Sequence, residues 1–202
     1  MKQLFLTLLT LLFATKAISQ EWELKKDKNG IKVYTRSVDT SKINEYRAVT
    51  MIETDLLNVL DVLKDGDNLW KWSYRTSASR IIKKISDQEF VFWIKNELPW
   101  PFKNRDHLSR VKITHAKDST VRIELNPEKT YTIPEHKETI RITHFKGHWL
   151  LKPRGNKVEI TQQLYGDLEG SIPAWIVNAL LVKAPYHTFL ELKQLLKQPV
   201  AE

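Results

Sequence analysis

The chain has 202 residues, with seven tryptophans, no cysteine and a formal net charge of +8 at pH 7. The lack of cysteine excludes disulfide bonds and a lipoprotein anchor on a cysteine. Lysine and arginine are spread along the chain and interleaved with acidic residues. We therefore expect no nucleic-acid partner, because such partners favour a basic block.

The first 19 residues have the pattern of a secretory signal peptide. Residues 4–13 form an apolar run, which is shorter than the roughly 20 residues of a membrane span. Small residues end at Ser19, where a signal peptidase would cut. We expect a signal peptide over 1–19 and one folded domain over 20–202, in a protein exported to a periplasm or to the extracellular medium. An uncleaved anchor is the alternative, and an intact Met1 on the purified protein would support it.

Hydrophobic periodicity and turn residues predict the remaining elements in chain order. They are a short helix over 21–26, strands over 31–36 and 44–53, a helix between Thr54 and Gly66, a short helix over 68–72, strands over 78–85, 89–94, 105–114, 120–125, 138–151 and 157–165, and a last helix that Ser171 caps. Helices near the start, a run of strands and one long C-terminal helix predict an α+β fold with an antiparallel sheet.

Two of these elements predict a covered sheet with a cavity. The strand over 89–94 is apolar on both faces, so we expect both of its sides to be covered. The last helix carries an apolar stripe, including Trp175, Ala179 and Leu180, that we expect to face the core, and Pro185 should kink it. A long apolar helix across a concave sheet leaves space for an apolar ligand site.

A proline-stiffened aromatic loop covers residues 97–104. Pro99 and Pro101 restrict their own backbone and bias the residue before each toward extended geometry. Trp100 and Phe102 are therefore held outside regular structure. Large apolar side chains on a loop close a core, contact a membrane or cover a ligand, and the sequence leaves these alternatives open.

Four stretches resemble, in the right order, the START (StAR-related lipid-transfer) domain. They are GIKVYTR at 30–36, LPWPF and NRD within 98–106, KGHWLL at 146–151, and GSIPAWIVN at 170–178. The resemblance implies a helix-grip fold, which is a curved antiparallel β-sheet wrapped around a long C-terminal α-helix with an internal hydrophobic cavity. It also implies binding of a sterol, phospholipid, ceramide, carotenoid or polyketide, usually without catalysis.

The resemblance assigns roles to two loops and one residue pair. It makes residues 97–104 one gate of the tunnel and places residues 126–138 near the tunnel mouth. Arg105 and Asp106 match the Arg-Asp pair of the family at the start of a strand. Because neighbouring strand residues point to opposite faces, both can face the tunnel only across a bulge. A head-group site and a structural pair are both open interpretations.

Arg110 matches a second arginine, which points into the cavity beside a buried acid in some sterol-binding members. That acid would be expected on the strand over 88–95, but the middle of the strand reads Phe-Val-Phe-Trp-Ile. A buried arginine needs an acceptor. If Arg110 faces inward, its partner is a ligand phosphate or carboxylate, or a nearby protein acid.

The candidate ligand-binding residues, taken as neighbours of the cavity, are Phe92, Trp93, Arg110, Trp149, Tyr165, Trp175, Val177 and Leu181. A register error of one residue moves any strand residue to the other face. The leading hypothesis is a lipid-binding and lipid-transfer protein. The alternatives are a helix-grip cyclase or hydrolase acting on a hydrophobic substrate, and a ligand-free structural or interaction protein.

The same hypothesis carries expectations about partners. We expect no enzyme activity, no cofactor, a monomer and transient membrane contact. His144 and His148 share a predicted strand face but lie roughly 13 Å apart, so we expect no metal site.

Overall fold

The computed structural model describes residues 21–197, so the predicted signal peptide over 1–19 lies outside the described residues. The elements are β1 (Glu23–Lys28), β2 (Ile31–Val38), β3 (Ser41–Glu53), α1 (Leu56–Lys64), a 3₁₀ turn (Leu69–Lys71), β4 (Thr76–Ser86), β5 (Glu89–Asn96), β6 (Asn104–His115), β7 (Val121–Pro127), β8 (Thr139–Arg141), β9 (Phe145–Arg154), β10 (Lys157–Gly166) and α2 (Ala174–Leu195). The predicted α+β helix-grip class is confirmed.

The strands form one curved sheet in the order β1-β2-β3-β10-β9-β7-β6-β5-β4. All neighbours along this path pair antiparallel, and β8 adds a short parallel pairing with β6. Helix α2 lies against β2 and β3. The sheet therefore presents one concave face to α2 and one outer face to the opposite side.

Two segments differ from the sequence prediction. The segment predicted as a helix over 21–26 is the edge strand β1, in which Glu23 and Leu24 pair with Thr35 and Tyr34 of β2. Tertiary pairing here overrides a local pattern that is only weakly helical. The predicted strand over 138–151 is split into β8 and β9. The intervening Ile142 donates its backbone N–H to the carbonyl of Asp106 instead of continuing a strand.

Strand β5 is covered on both faces, as predicted. Its side chains Phe90, Phe92 and Ile94 belong to the main core on the concave face. Val91 and Trp93 form a second cluster with Leu108 on the outer face, and Tyr131 and Ile133 from the loop before β8 pack against that cluster. The loop thus supplies the cover that a strand with two apolar faces needs.

The start of α2 also differs from the prediction. Pro173, not Ser171, precedes the first helical turn and keeps an extended backbone with ψ 132°. The predicted apolar stripe is rotated, because Trp175 and Ala179 are exposed while Val177 is buried. Pro185 lies inside the helix and is buried. Within residues 21–197, no helix combines the length and apolarity needed to cross a bilayer.

Aromatic contacts join α2 to the sheet. Trp149 of β9 stacks on Phe189 of α2 with ring centroids 5.6 Å apart, and its edge meets Trp72 at 6.3 Å. Aromatic pairs of this kind add about 0.5–1.5 kcal/mol each beyond the area they bury. The contacts position the C-terminal half of α2 over the sheet.

Candidate functional site

A cavity of about 280 Å³ lies between the concave face of the sheet and α2. One face of α2 closes it at helical spacing, through Val177, Leu180, Leu181, Ala184, Pro185 and Thr188. The strands supply the opposite wall, mainly through Phe92, Ile94, Val111, Ile123, Phe145, Trp149 and Leu164. The volume is near the lower end of the roughly 300–1,000 Å³ of small-molecule sites.

Four of the predicted ligand-binding residues line this cavity. Phe92 and Trp149 contribute from the sheet, and Val177 and Leu181 contribute from α2. The cavity is thus where the sequence placed it. Contact of these four side chains with a ligand stays a prediction.

Two predicted residues lie on the outer face because of strand alternation. Trp93 follows Phe92, which faces the cavity, so the Trp93 side chain points the other way into the second cluster. Tyr165 is likewise next to the cavity residue Leu164 and is absent from the lining. Both predictions were wrong by one residue of register.

Two further predicted residues face away from the cavity. Trp175 is 72% exposed, because it lies off the α2 face formed by Val177 and Leu181. Arg110 is on the outer face, where its Nε donates to Glu89 Oε1 at 2.6 Å and its Nη1 lies 3.6 Å from Glu128 Oε2. Its partners are protein acids, so its assignment as a ligand-binding residue was wrong.

Arg105 anchors the segment that connects β10 to α2. Its side chain is 2% exposed and reaches the edge of the cavity. It donates to the carbonyls of Lys103 at 2.5 Å, Glu169 at 2.8 Å and Leu168. Burial lowers the pKa of Arg105, while the nearby carboxylate of Glu169 acts in the opposite direction. The guanidinium therefore has a structural use, because each of its three nitrogens donates to a backbone carbonyl.

Asp106 points to the outer face, as alternation requires, and joins three strands. It accepts hydrogen bonds from Trp93 Nε1 at 2.8 Å and from Arg141 Nε and Nη2 at 2.6 and 2.9 Å. Burial alone would raise the pKa of Asp106, but the hydrogen bonds from Arg141 and Trp93 outweigh burial and hold the pKa below its ordinary value. The carboxylate links β5, β6 and β8.

The predicted gate loop borders the cavity through its first residues. Leu98 is part of the lining, and its backbone N–H donates to Asn104 Oδ1 at 3.2 Å. A turn follows, in which Phe102 N–H donates to the carbonyl of Pro99 at 3.1 Å and the Trp100–Pro101 peptide bond is cis. The Trp100 side chain is 93% exposed. A role of this loop as a gate stays a prediction.

Polar lining residues on three strands were missed by the sequence analysis: Tyr46 of β3, His107 of β6 and Gln162 of β10. Gln162 follows the buried Val158 and Ile160 on one face of β10, and His107 is two residues from Arg105 on one face of β6. A polar residue at an inward position of an apolar strand is the signal that would have found them.

His107 is kept uncharged by its surroundings. Its Nδ1 lies 3.0 Å from Ser109 Oγ, and its ring centroid is 4.8 Å from that of Phe145. Burial lowers the pKa of His107 from 6.5 to about 4, the charge of Asp106 opposes this shift, and the charge of Arg141 adds to it. The imidazole is therefore neutral at physiological pH.

We expect His107 to make the protein acid-sensitive. Below pH 6.5 the His107 imidazole of the unfolded chain becomes protonated, whereas that of the folded chain stays neutral down to about pH 4. The free energy of unfolding therefore decreases as the pH falls through this window. The linkage is worth about 2 kcal/mol between pH 7 and 5. Urea unfolding at both pH values should show that the wild type loses about this much more than His107→Gln. Equal losses would contradict the assignment.

Comparison with known proteins places this architecture in a family. A family model for the START domain matches residues 8–199. An uncharacterized protein of Pseudomonas aeruginosa is 35% identical over 181 residues, covering 89% of each chain. The crystal structure of a StAR-related lipid transfer protein from Xanthomonas axonopodis is 33% identical with a TM-score of 0.81, over 88% of this chain and 99% of that one.

Two more distant relatives are named as transfer proteins. The phosphatidylcholine transfer protein of Rattus norvegicus is 24% identical over 170 residues, covering 78% of this chain and 75% of that protein. Human StAR-related lipid transfer protein 5 shares the fold, with a TM-score of 0.80 at 20% identity over 88% of this chain and 86% of that one. The match of the family model over nearly the whole chain, together with the cavity under α2, shows that this chain belongs to the START domain family.

Proposed function

We propose that the protein binds a lipid or another hydrophobic small molecule in the cavity between the sheet and α2. The observation that carries the proposal is the apolar cavity itself, walled by sheet residues such as Trp149 and closed by Leu181 and its helical neighbours. Relatives named as lipid transfer proteins support the same ligand class. The protein sequesters its ligand from water.

Burial of apolar surface drives binding in such a site. Each 100 Å² of ligand surface removed from water contributes roughly 2.5 kcal/mol. The cavity of about 280 Å³ suits one acyl chain or an apolar group of similar size. Shape and apolarity therefore supply most of the affinity, and polar lining groups select among ligands.

The direct test is native mass spectrometry of the protein after production in a host that exports it through a membrane. A stoichiometric adduct that solvent extraction releases and identifies as a lipid would support the proposal. A protein that emerges empty and also ignores a panel of fatty acids, sterols, phospholipids and isoprenoids would contradict it.

We further propose that the protein exchanges its ligand at membranes through the loop that carries Trp100. The indole is exposed and lies two residues from the cavity residue Leu98, and tryptophan favours the membrane–water interface. In a vesicle-to-vesicle transfer assay with a fluorescent acyl lipid, Trp100→Ala should slow transfer about tenfold without changing ligand occupancy in solution.

The matched control for this assay is Trp70→Ala. Trp70 is also exposed, but it lies on the 3₁₀ turn Leu69–Lys71 and outside the loop over 97–104. This variant should transfer lipid at the wild-type rate. If both variants transfer at that rate, the membrane role of the loop is refuted.

The proposal includes no catalytic step. The one Ser–His contact near the cavity joins His107 and Ser109, within the part of the chain that the structure describes. Ser109 is 1% exposed and is absent from the lining. Its hydroxyl therefore cannot reach a ligand as a nucleophile, and a helix-grip hydrolase built on this pair is not favoured.

We also propose that the protein is exported, on the basis of the signal-peptide pattern over 1–19. Cleavage after Ser19 would release residues 20–202 into a periplasm or the extracellular medium. The N-terminal residue of the protein purified from its native host tests this point.

A further inference from the structure

Two buried polar side chains on the cavity wall have no hydrogen-bond partner among the described residues. They are the hydroxyl of Tyr46, which is 7% exposed, and the amide of Gln162, which is 9% exposed. In residues 21–197 the polar side-chain atoms that are closed to solvent and have no hydrogen-bond partner are Arg47 Nε, Glu128 Oε2 and Thr139 Oγ1. The polar atoms of Tyr46 and Gln162 are therefore open to the cavity.

Tyr46 and Gln162 are neighbours on one face of the sheet. In the pairing of β3 with β10, Tyr46 is opposite Leu164 and Gln162 is opposite Ala48. They are thus diagonal partners two positions apart, about 7–8 Å between Cα atoms, which long side chains can bridge. A single ligand group can meet both.

His107 adds a third polar group from the β6 wall. Its Nδ1 contacts Ser109 Oγ, and within the described part of the chain its Nε2 has no hydrogen-bond partner. The ring lines the cavity beside Phe92 and Phe145. The Nε2 atom is therefore the one available to a ligand.

None of these three groups is charged near neutral pH. Burial raises the pKa of the Tyr46 hydroxyl and lowers that of His107, and an amide does not titrate. Arg105, the buried cation of the lining, donates from each of its three nitrogens to a backbone carbonyl. The remaining charged lining residues, Arg75 and Glu97, are exposed and belong to the rim. A phosphate or carboxylate inside the cavity would have no buried cation besides Arg105, whose nitrogens already bond backbone carbonyls, and would be costly to desolvate.

We infer that Tyr46 and Gln162 form an uncharged recognition site inside the cavity for a hydroxyl or carbonyl group, that His107 offers a further uncharged polar group on the β6 wall, and that the part of the ligand inside the cavity carries no charge. The ligand class is a neutral amphipathic lipid, such as an alcohol or an ester. The inference rests on the proposed function, because it requires a ligand in the same cavity. An unpaired polar group buried in protein favours a ligand that supplies its missing hydrogen bond.

The test compares three probes that share one alkyl chain: dodecane, dodecanol and dodecyl phosphate. Binding is followed by native mass spectrometry and by intrinsic fluorescence, since Trp72 and Trp149 line the cavity. Dodecanol should bind at least about fivefold more tightly than either of the other two probes. Tyr46→Phe and Gln162→Leu should each weaken dodecanol binding about fivefold and leave dodecane binding unchanged.

Tyr165→Phe is the matched control, because it removes the same hydroxyl from the outer face of the sheet, and it should bind dodecanol as the wild type does. If dodecane binds as tightly as dodecanol, if dodecyl phosphate binds most tightly, or if the cavity variants bind as the wild type, the recognition site is refuted and ligand binding in the cavity stands. If none of the probes binds, the proposed function fails and the inference fails with it.

Discussion

Leu181→Trp is expected to abolish ligand binding while the protein stays folded. Leu181 projects from the cavity face of α2 between Val177 and Ala184. An indole ring there would occupy a large part of a space of about 280 Å³. Added volume in a closely packed core costs about 1–3 kcal/mol, but a cavity accepts it with less strain. Native mass spectrometry should show an empty protein, and thermal unfolding should stay cooperative.

Ala179→Trp makes a comparable substitution on the exposed face of the same helix. It controls for effects of a bulky residue on α2 itself, so it should leave ligand occupancy at the wild-type level. If Leu181→Trp retained its ligand at full stoichiometry, the cavity under α2 would not be the binding site. If both variants lost ligand, α2 would act through its own stability rather than through the cavity.

The main strands and the C-terminal helix were predictable because their signals are local. The inward set Tyr46, Ala48, Thr50 and Ile52 alternates along β3 with outward residues, and the structure keeps that alternation. The two apolar faces of β5 likewise required cover on both sides. The parallel β6–β8 pairing was missed because it brings Arg105 beside Ile140, a long-range contact that no local pattern encodes.

The individual site residues were harder to predict because sheet register has a period of two. Phe92 and Trp93 are equally apolar, so hydrophobicity cannot decide which one faces α2. A hydrogen bond distinguishes them: the indole N–H of Trp93 donates to Asp106 on the outer face, whereas Phe92 has no polar group that needs a partner. The same register error of one residue led to the assignment of Tyr165 to the cavity.

The face of α2 that is buried and the polar groups inside the cavity were also difficult to predict from the sequence. Trp175 was assigned to the core for its hydrophobicity, yet it lies off the α2 face formed by Val177 and Leu181 and is exposed. Gln162 was overlooked because polar residues are expected outside. An inward amide with no protein partner becomes meaningful only when the cavity around it is known.

Asp106→Ala is expected to destabilise the protein by about 3–5 kcal/mol, since removing one member of a buried ion pair leaves the other uncompensated. Arg141 would lose its bidentate carboxylate, and Trp93 Nε1 would lose its acceptor. A loss of this size is a large fraction of the roughly 5–15 kcal/mol by which domains are stable. Asp106→Asn, which keeps an acceptor for Trp93 but no charge, should lose less. Urea unfolding of the purified variants measures both.

Asp87→Ala provides the control, because the Lys84–Asp87 ion pair is exposed on both sides and exposed pairs contribute little. Its unfolding curve should overlay that of the wild type. Because Asp106 faces away from the cavity, Asp106→Asn should bind the same ligand as the wild type under conditions in which the variant is folded. A folded Asp106→Asn protein that had lost its ligand would show that the Arg-Asp pair acts in recognition, whereas retained binding with reduced stability would show that the carboxylate joins strands β5, β6 and β8.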